Sequence, residues 1–142
     1  MYKNLIILFA AALSLASCDK VKPKPKTPCG TQTQPCTLNF ASIGILCTDN
    51  TGKPIAVNNF TVFDVSSNKL LHPGYPNALL ALGYYIVATD NNKMDYSTDG
   101  DDIKVSATDP ATNQTKAIDL KISGGCNCHV ALLSGPDTLK FN

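Results

Sequence analysis

The segment Ile103-Lys104-Val105-Ser106-Ala107, followed by Ile118-Asp119-Leu120-Lys121-Ile122, decides the fold class of this chain. In both segments apolar and polar residues alternate, which is the period of a strand that buries one face. Between them stands Asp109-Pro110-Ala111-Thr112-Asn113, whose residue types are typical of a turn. The two segments therefore predict neighbouring strands of an antiparallel sheet.

The same pattern continues on both sides of this pair. Strand patterns occur in five more segments: Ile43–Thr48, Asn59–Val65, Gly83–Thr89, Cys126–Leu132 and Thr138–Phe141. Both faces of Asn59–Val65 are apolar, which predicts a central strand, whereas Asn77–Leu82 fits a short helix or a strand. About seven strands in one short chain predict a single antiparallel β-sandwich of the Ig-like or prealbumin-like type.

One part of this pattern resembles a known family. The segment Ile43-x-x-x-Cys47-Thr48-Asp49-x-x-Gly52-Lys53-Pro54-Ile55 and the later Gly83-Tyr84-Tyr85 are similar to carboxypeptidase regulatory-like domains, which have a transthyretin-like sandwich. The resemblance implies a non-catalytic module for stability, spacing, or contact with protein or carbohydrate. The chain departs from the family at Cys47, where Val or Ile is usual, and in its cysteine-rich C-terminal part.

The N-terminus has the layout of an export signal. Lys3 precedes the apolar block Leu5–Leu13, and Leu15-Ala16-Ser17-Cys18 follows it. The block is too short to span a bilayer, which takes about 20 residues. A Cys directly after Leu-Ala-Ser resembles the lipobox of bacterial lipoproteins, which implies cleavage before Cys18 and acylation of its sulfur. An ordinary cleaved signal and an uncleaved anchor are the alternatives.

These features divide the chain into a signal peptide (1–17), a lipidated Cys with a Lys/Pro-rich tether (18–35) and a β-sandwich domain (36–142). Lys22-Pro23-Lys24-Pro25-Lys26 predicts extended chain, because Pro fixes φ and removes N–H donors. The lysines of this segment either attract anionic lipid headgroups or only keep a spacer segment in contact with water.

Composition excludes several function classes. Arg, Glu and Trp are absent, and from Thr37 onward seven Lys stand against ten Asp. A nucleic-acid partner is not expected, because such domains carry a concentrated basic face. Neither Gly-x-Ser-x-Gly nor His-Glu-x-x-His occurs, so an enzyme is not expected either.

Five cysteines besides Cys18 are candidates for disulfides in an exported protein: Cys29, Cys36, Cys47, Cys126 and Cys128. Five cysteines form two disulfides in any of 15 ways, and spacing does not select among them. The leading interpretation joins Cys29 to Cys36, and Cys47 to Cys126 or Cys128. It places Cys47 and the two later cysteines on inward strand faces.

Two metal sites are alternative interpretations. Cys126, Cys128 and His129 could hold Cu or Zn, with Cys47 as a further ligand, although a strand would point His129 away from the two cysteines. Asp95, Asp99 and Asp101 lie in a polar loop and could hold Ca²⁺, but their spacing does not fit an EF-hand.

The sequence therefore predicts a lipoprotein of the Gram-negative outer membrane, held in the lipid bilayer by acylated Cys18 and needing no cofactor. Its sandwich is expected to be a binding or structural module for a protein or glycan. The alternative is a periplasmic Cu- or Zn-binding lipoprotein that uses Cys126, Cys128 and His129.

Overall fold

A computed structural model describes residues 29–30, 35–72 and 82–142. Within these residues the chain forms eight strands and a 3₁₀ helix at Asp90–Asp95. In chain order the strands are β1 (Ser42–Thr48), β2 (Asn58–Asp64), β3 (Lys69–Leu71), β4 (Tyr84–Thr89), β5 (Asp101–Thr108), β6 (Thr115–Ser123), β7 (Ala131–Ser134) and β8 (Thr138–Lys140). The predicted signal peptide, Cys18 and most of the helix-or-strand segment at 77–82 lie outside the described residues.

Two sheets face each other, as the predicted sandwich requires. One has the strand order β4-β1-β8 and the other β3-β2-β5-β6-β7. β2 lies between two neighbours, so its prediction as a central strand is confirmed. The Asx, Gly and Pro residues of Asp49–Pro54 are typical of a turn, and the chain does turn there: Asp49 Oδ1 accepts hydrogen bonds from the backbone N–H groups of Thr51 and Lys53.

One pairing departs from the predicted antiparallel sandwich. β1 and β8 run parallel, with Cys47 opposite Leu139. Residues 135–137 carry the chain from β7 in one sheet to β8 in the other without reversing its direction. β8 therefore runs the same way as β1, whereas a hairpin connection would have made the pair antiparallel.

The core lies between the sheets and follows the alternation of the sequence. In β5 the side chains of Ile103, Val105 and Ala107 are buried, while those of Asp102 and Lys104 are exposed. The other sheet contributes buried residues from β1, β4 and β8, and the C-terminal Phe141 completes this layer: Ile43, Ile45, Cys47, Val87, Leu139 and Phe141. Each large aliphatic side chain buried in this way contributes about 1.5–3 kcal/mol of transfer free energy.

The strands give the domain two distinct ends. At the cysteine end, β1 begins beside the end of β4, and the turn after β6 meets the loop before β5 through a Gly124 N–H bond to Ser97 O of 2.9 Å. At the turn end lie the turns 49–53 and 109–113. There the Asn142 N–H donates to Gln114 Oε1 at 3.0 Å and joins the two sheets.

The strand predicted over Cys126–Leu132 is wrong in its first half. Cys126 to His129 form turns and bends, and β7 begins only at Ala131. Gly125 has φ +57°, and a side chain at Gly124 would place its Cβ only 2.4 Å from Lys93 O. The chain therefore turns tightly against the end of the 3₁₀ helix instead of extending. Leu132, which alternation in such a strand would place on the same inward face as Cys126 and Cys128, is 37% exposed.

Candidate functional site

Two disulfides lie at the cysteine end. Cys29 bonds Cys126, and Cys36 bonds Cys128, each with a Cα–Cα distance of 5.2 Å. The partners are 97 and 92 residues apart in the sequence. The bonds therefore fasten the segment that precedes β1 to the turn between β6 and β7.

The predicted pairing of these cysteines is wrong. Cys29 does not bond Cys36, and Cys47 bonds neither Cys126 nor Cys128. The prediction assumed that Cys126 and Cys128 lie on a core-facing strand, but they lie in a turn outside the core. Cys47 does lie on the inward face of β1, where it is fully buried as a free thiol. Burial raises the pKa of the Cys47 thiol to about 11, which makes it unreactive at neutral pH.

The turn that carries Cys126 and Cys128 is fixed by the loop after β4. The Gly125 N–H donates to Lys93 O at 2.7 Å, and the Cys126 N–H donates to Thr98 Oγ1 at 3.1 Å. The Lys93 ammonium in turn donates to Asn127 O at 2.9 Å. Because both sides of the turn are held, the two sulfurs have defined positions for their N-terminal partners.

A chain of side-chain hydrogen bonds accompanies the disulfides. Thr37 Oγ1 lies 2.8 Å from His129 Nε2, and His129 Nδ1 lies 2.7 Å from Asp90 Oδ2. Thr37 directly follows Cys36, and His129 directly follows Cys128, so the disulfide between those cysteines brings the hydroxyl and the imidazole together. We call the two disulfides and this Thr37–His129–Asp90 chain the disulfide clasp.

Asp90 is the central acceptor of the disulfide clasp. Besides His129, its carboxylate accepts the backbone N–H of Ala41 at 2.8 Å and that of Val130 at 2.9 Å. Burial alone would raise the pKa of Asp90, but the hydrogen bonds from Ala41, His129 and Val130 outweigh it and lower that pKa. One carboxylate thus joins the chain before β1, the turn before β7 and the end of β4.

The predicted metal ligands are not brought together. The sulfurs of Cys126 and Cys128 are in disulfides, and both ring nitrogens of His129 have hydrogen-bond partners. Asp95 pairs with Lys69 at 3.4 Å, and Asp101 accepts the Ser97 N–H at 2.7 Å. Across residues 29–30, 35–72 and 82–142, no group of three or more His, Cys, Asp or Glu side chains could hold a metal ion.

Sequence reasoning missed Thr37 and Asp90. Asp90 precedes His129 by 39 residues, and Thr37 precedes it by 92. The one local indication was that Thr37 and His129 each directly follow a cysteine. It predicts that the two side chains lie close together only when the bond between Cys36 and Cys128 is known.

No protein-family profile, no curated protein and no solved structure matches this chain. Within the described part of the chain, no helix has the length and apolar character needed to cross a membrane.

Proposed function

We propose that this protein is a lipoprotein whose acylated Cys18 anchors a non-catalytic β-sandwich at the cell envelope. The observation that carries the proposal is the pair of disulfides in the disulfide clasp. Disulfides persist in oxidising compartments such as the periplasm and the cell surface. They therefore agree with the export signal and with the lipobox-like Leu15-Ala16-Ser17-Cys18 at its end.

Anchoring follows from the transfer energy of acyl chains. Each buried CH₂ group contributes about 0.8 kcal/mol, so one chain binds reversibly and two or more bind firmly. The lipoprotein resemblance implies three chains on the mature Cys18. We propose the outer membrane of a Gram-negative cell as the site, and a protein or a glycan as the partner of the sandwich.

The metal-binding alternative is disfavoured by the same disulfides. A Cu or Zn site at Cys126 and Cys128 needs thiolates, because the thiolate is the metal-binding form of cysteine. Both sulfurs are already bonded to Cys29 and Cys36.

Metabolic labelling with palmitate tests the proposal. Cells that express the full chain are expected to incorporate label and to yield a mature protein that begins at Cys18. Cys18→Ala is expected to remove the label, whereas the matched control Cys47→Ala keeps it, because Cys47 lies inside the domain core. An unlabelled wild-type chain, or a mature product that begins elsewhere, contradicts the proposal.

A second candidate function is ester hydrolysis, and one observation favours it. The order of hydroxyl, imidazole and carboxylate in Thr37–His129–Asp90 is the order of a nucleophile, its general base and the group that orients that base. In such a reaction Thr37 Oγ1 would bond to the ester carbonyl carbon while its proton passes to His129 Nε2. The imidazolium would then protonate the departing alcohol, and water would hydrolyse the acyl-threonine.

Hydrolysis of p-nitrophenyl esters by the purified domain tests this candidate. Turnover is expected to disappear in Thr37→Val, while Thr51→Val, which changes a hydroxyl at the turn end, leaves it intact. A wild-type rate no higher than that of Thr37→Val removes the candidate and leaves the lipoprotein proposal unaffected.

A further inference from the structure

The disulfide clasp determines where the N-terminal chain joins the domain. Without disulfides, Ala41 is the residue at which the chain joins the sheets, because its N–H donates to Asp90 and its carbonyl accepts the Asp90 N–H. With them, Cys29 is already fixed to Cys126 at the cysteine end. The chain that precedes Cys29 therefore leaves the domain from the cysteine end.

The position of this junction sets the length of the tether. Cys29 follows Cys18 by 11 residues, and Ala41 follows it by 23. A fully extended chain spans at most about 3.3–3.6 Å per residue. The maximum length is therefore about 36–40 Å for the tether that ends at Cys29 and about 76–83 Å for the tether that ends at Ala41. The disulfide clasp therefore shortens the maximum length of the tether by about half.

The maximum length of the shorter tether is comparable with the length of the domain along its strands. β5 runs from the cysteine end to the turn end in eight residues, which is about 26 Å at a rise of about 3.3 Å per residue. A tether of up to about 40 Å that begins at the cysteine end keeps that end within about 40 Å of its anchor. The turns 49–53 and 109–113 lie at the opposite end of the domain and can reach farther from the anchor than the cysteine end can.

We propose that the disulfide clasp sets the distance between the domain and the bilayer. It keeps the cysteine end within about 40 Å of the lipid anchor, whereas the turn end can reach farther from the bilayer. This inference rests on acylation of Cys18, which is part of the proposed function.

Variants with graded tethers test the inference. Removing one disulfide with Cys29→Ser/Cys126→Ser moves the first fixed residue to Cys36, which follows Cys18 by 18 residues. Removing both disulfides moves it to Ala41. As a matched control, an insertion of seven Gly and Ser residues between Lys26 and Thr27 gives the 18-residue tether with both disulfides intact.

The readout is the height of the domain above the membrane. Each purified lipoprotein is placed in a supported bilayer, and neutron reflectometry measures the height of its protein layer. Energy transfer from a fluorescent amino acid at exposed Ala111 to a labelled lipid measures the height of the turn end. We expect the height to increase in the order wild type, one disulfide removed, both removed. Removing one disulfide lengthens the tether by seven residues and its maximum length by about 23–25 Å, and removing the second adds five residues and about 16–18 Å.

The outcomes separate this inference from the proposed function. Equal heights for the wild type, the single-disulfide variant and the insertion overturn the inference while leaving a palmitate-labelled lipoprotein in place. An unlabelled Cys18 overturns both. If near-UV circular dichroism shows that the variant without disulfides is unfolded, the insertion and the single-disulfide variant decide. They are expected to match each other and to exceed the wild type.

Discussion

Different interactions stabilise the two ends of this domain. At the turn end, a short turn joins the neighbouring strands β5 and β6, and hydrogen bonds such as Asn142 N–H to Gln114 Oε1 join the sheets. At the cysteine end the chain is irregular from Cys126 to His129, and the disulfide clasp, with the carboxylate of Asp90 at its centre, links this turn to the chain before β1. Local sequence therefore specifies the turns of one end, while bonds between residues more than 90 positions apart fasten the other.

The largest expected effect is the loss of both disulfides at the cysteine end. In the chain-entropy model a loop of about 97 residues contributes 4–5 kcal/mol, and the second bond contributes less because the first has shortened its loop. We expect the variant with Ser at positions 29, 36, 126 and 128 to lose at least about 4 kcal/mol of unfolding free energy in urea. Reductant should produce a similar loss in the wild type and none in the variant. An unchanged urea midpoint would show that the clasp is not a stabilising element.

The next largest effect is expected in the core at the turn end. Phe141 is fully buried, and its N–H donates to Thr48 O at 2.8 Å. Phe141→Ala should cost about 3–5 kcal/mol of unfolding free energy, because it leaves a cavity where the two sheets meet. The control Leu133→Ala removes a side chain that is 51% exposed and should change stability by less than about 0.5 kcal/mol. Similar losses in the two variants would show that Phe141 does not pack as the structure describes.

The contrast between the ends also explains what the sequence could predict. Alternation identified β5 and β6 because a strand with one buried face repeats every two residues, and the turn at Asp109 is encoded by its own residues. The same alternation in Cys126-x-Cys128-x-Val130 misled, because the preceding glycines turn the chain against Lys93. Periodicity alone does not distinguish an extended segment from a turn whose cysteines bond elsewhere.

A local sequence pattern also could not predict the direction of β8 relative to β1 or the pairing of the cysteines. β8 was expected where it occurs, but its parallel pairing with β1 depends on the crossing of the chain between sheets. The disulfide clasp depends on bonds between residues more than 90 positions apart. Cys47 shows the complementary case, because its inward position on β1 followed from alternation while its lack of a disulfide partner did not.

A smaller effect is expected from Asp90 at the cysteine end. Asp90→Ala leaves the N–H groups of Ala41 and Val130 without their acceptor and should cost about 2–3 kcal/mol. Because folding lowers the pKa of Asp90 from its ordinary 3.8, its contribution is present above that ordinary pKa and is lost as the pH falls below it and through the lowered pKa of the folded state. Urea midpoints measured from pH 7 to pH 3 should therefore fall less steeply in Asp90→Asn than in the wild type.

Asp99→Asn serves as the control for this pH profile, since Asp99 is an exposed carboxylate in the same loop region. It is expected to keep the slope of the wild type. If the urea midpoint of Asp90→Asn falls with pH as steeply as that of the wild type, the Asp90 carboxylate is not the group that makes the cysteine end sensitive to acid.

The smallest effect is expected at the opposite turn. Asp109 Oδ1 accepts the Ala111 N–H at 2.9 Å, and Oδ2 accepts the Thr112 hydroxyl at 2.7 Å. Asp109→Ala should cost about 1 kcal/mol in urea, and Asp109→Asn should recover most of it, because an Asn oxygen makes the same turn bond. Both bonds lie within one turn, so the loss should add to that of the disulfides when the changes are combined. A loss as large as that of Asp90→Ala would mean that the turn end also depends on a carboxylate that links distant segments, and the distinction between the two ends would fail.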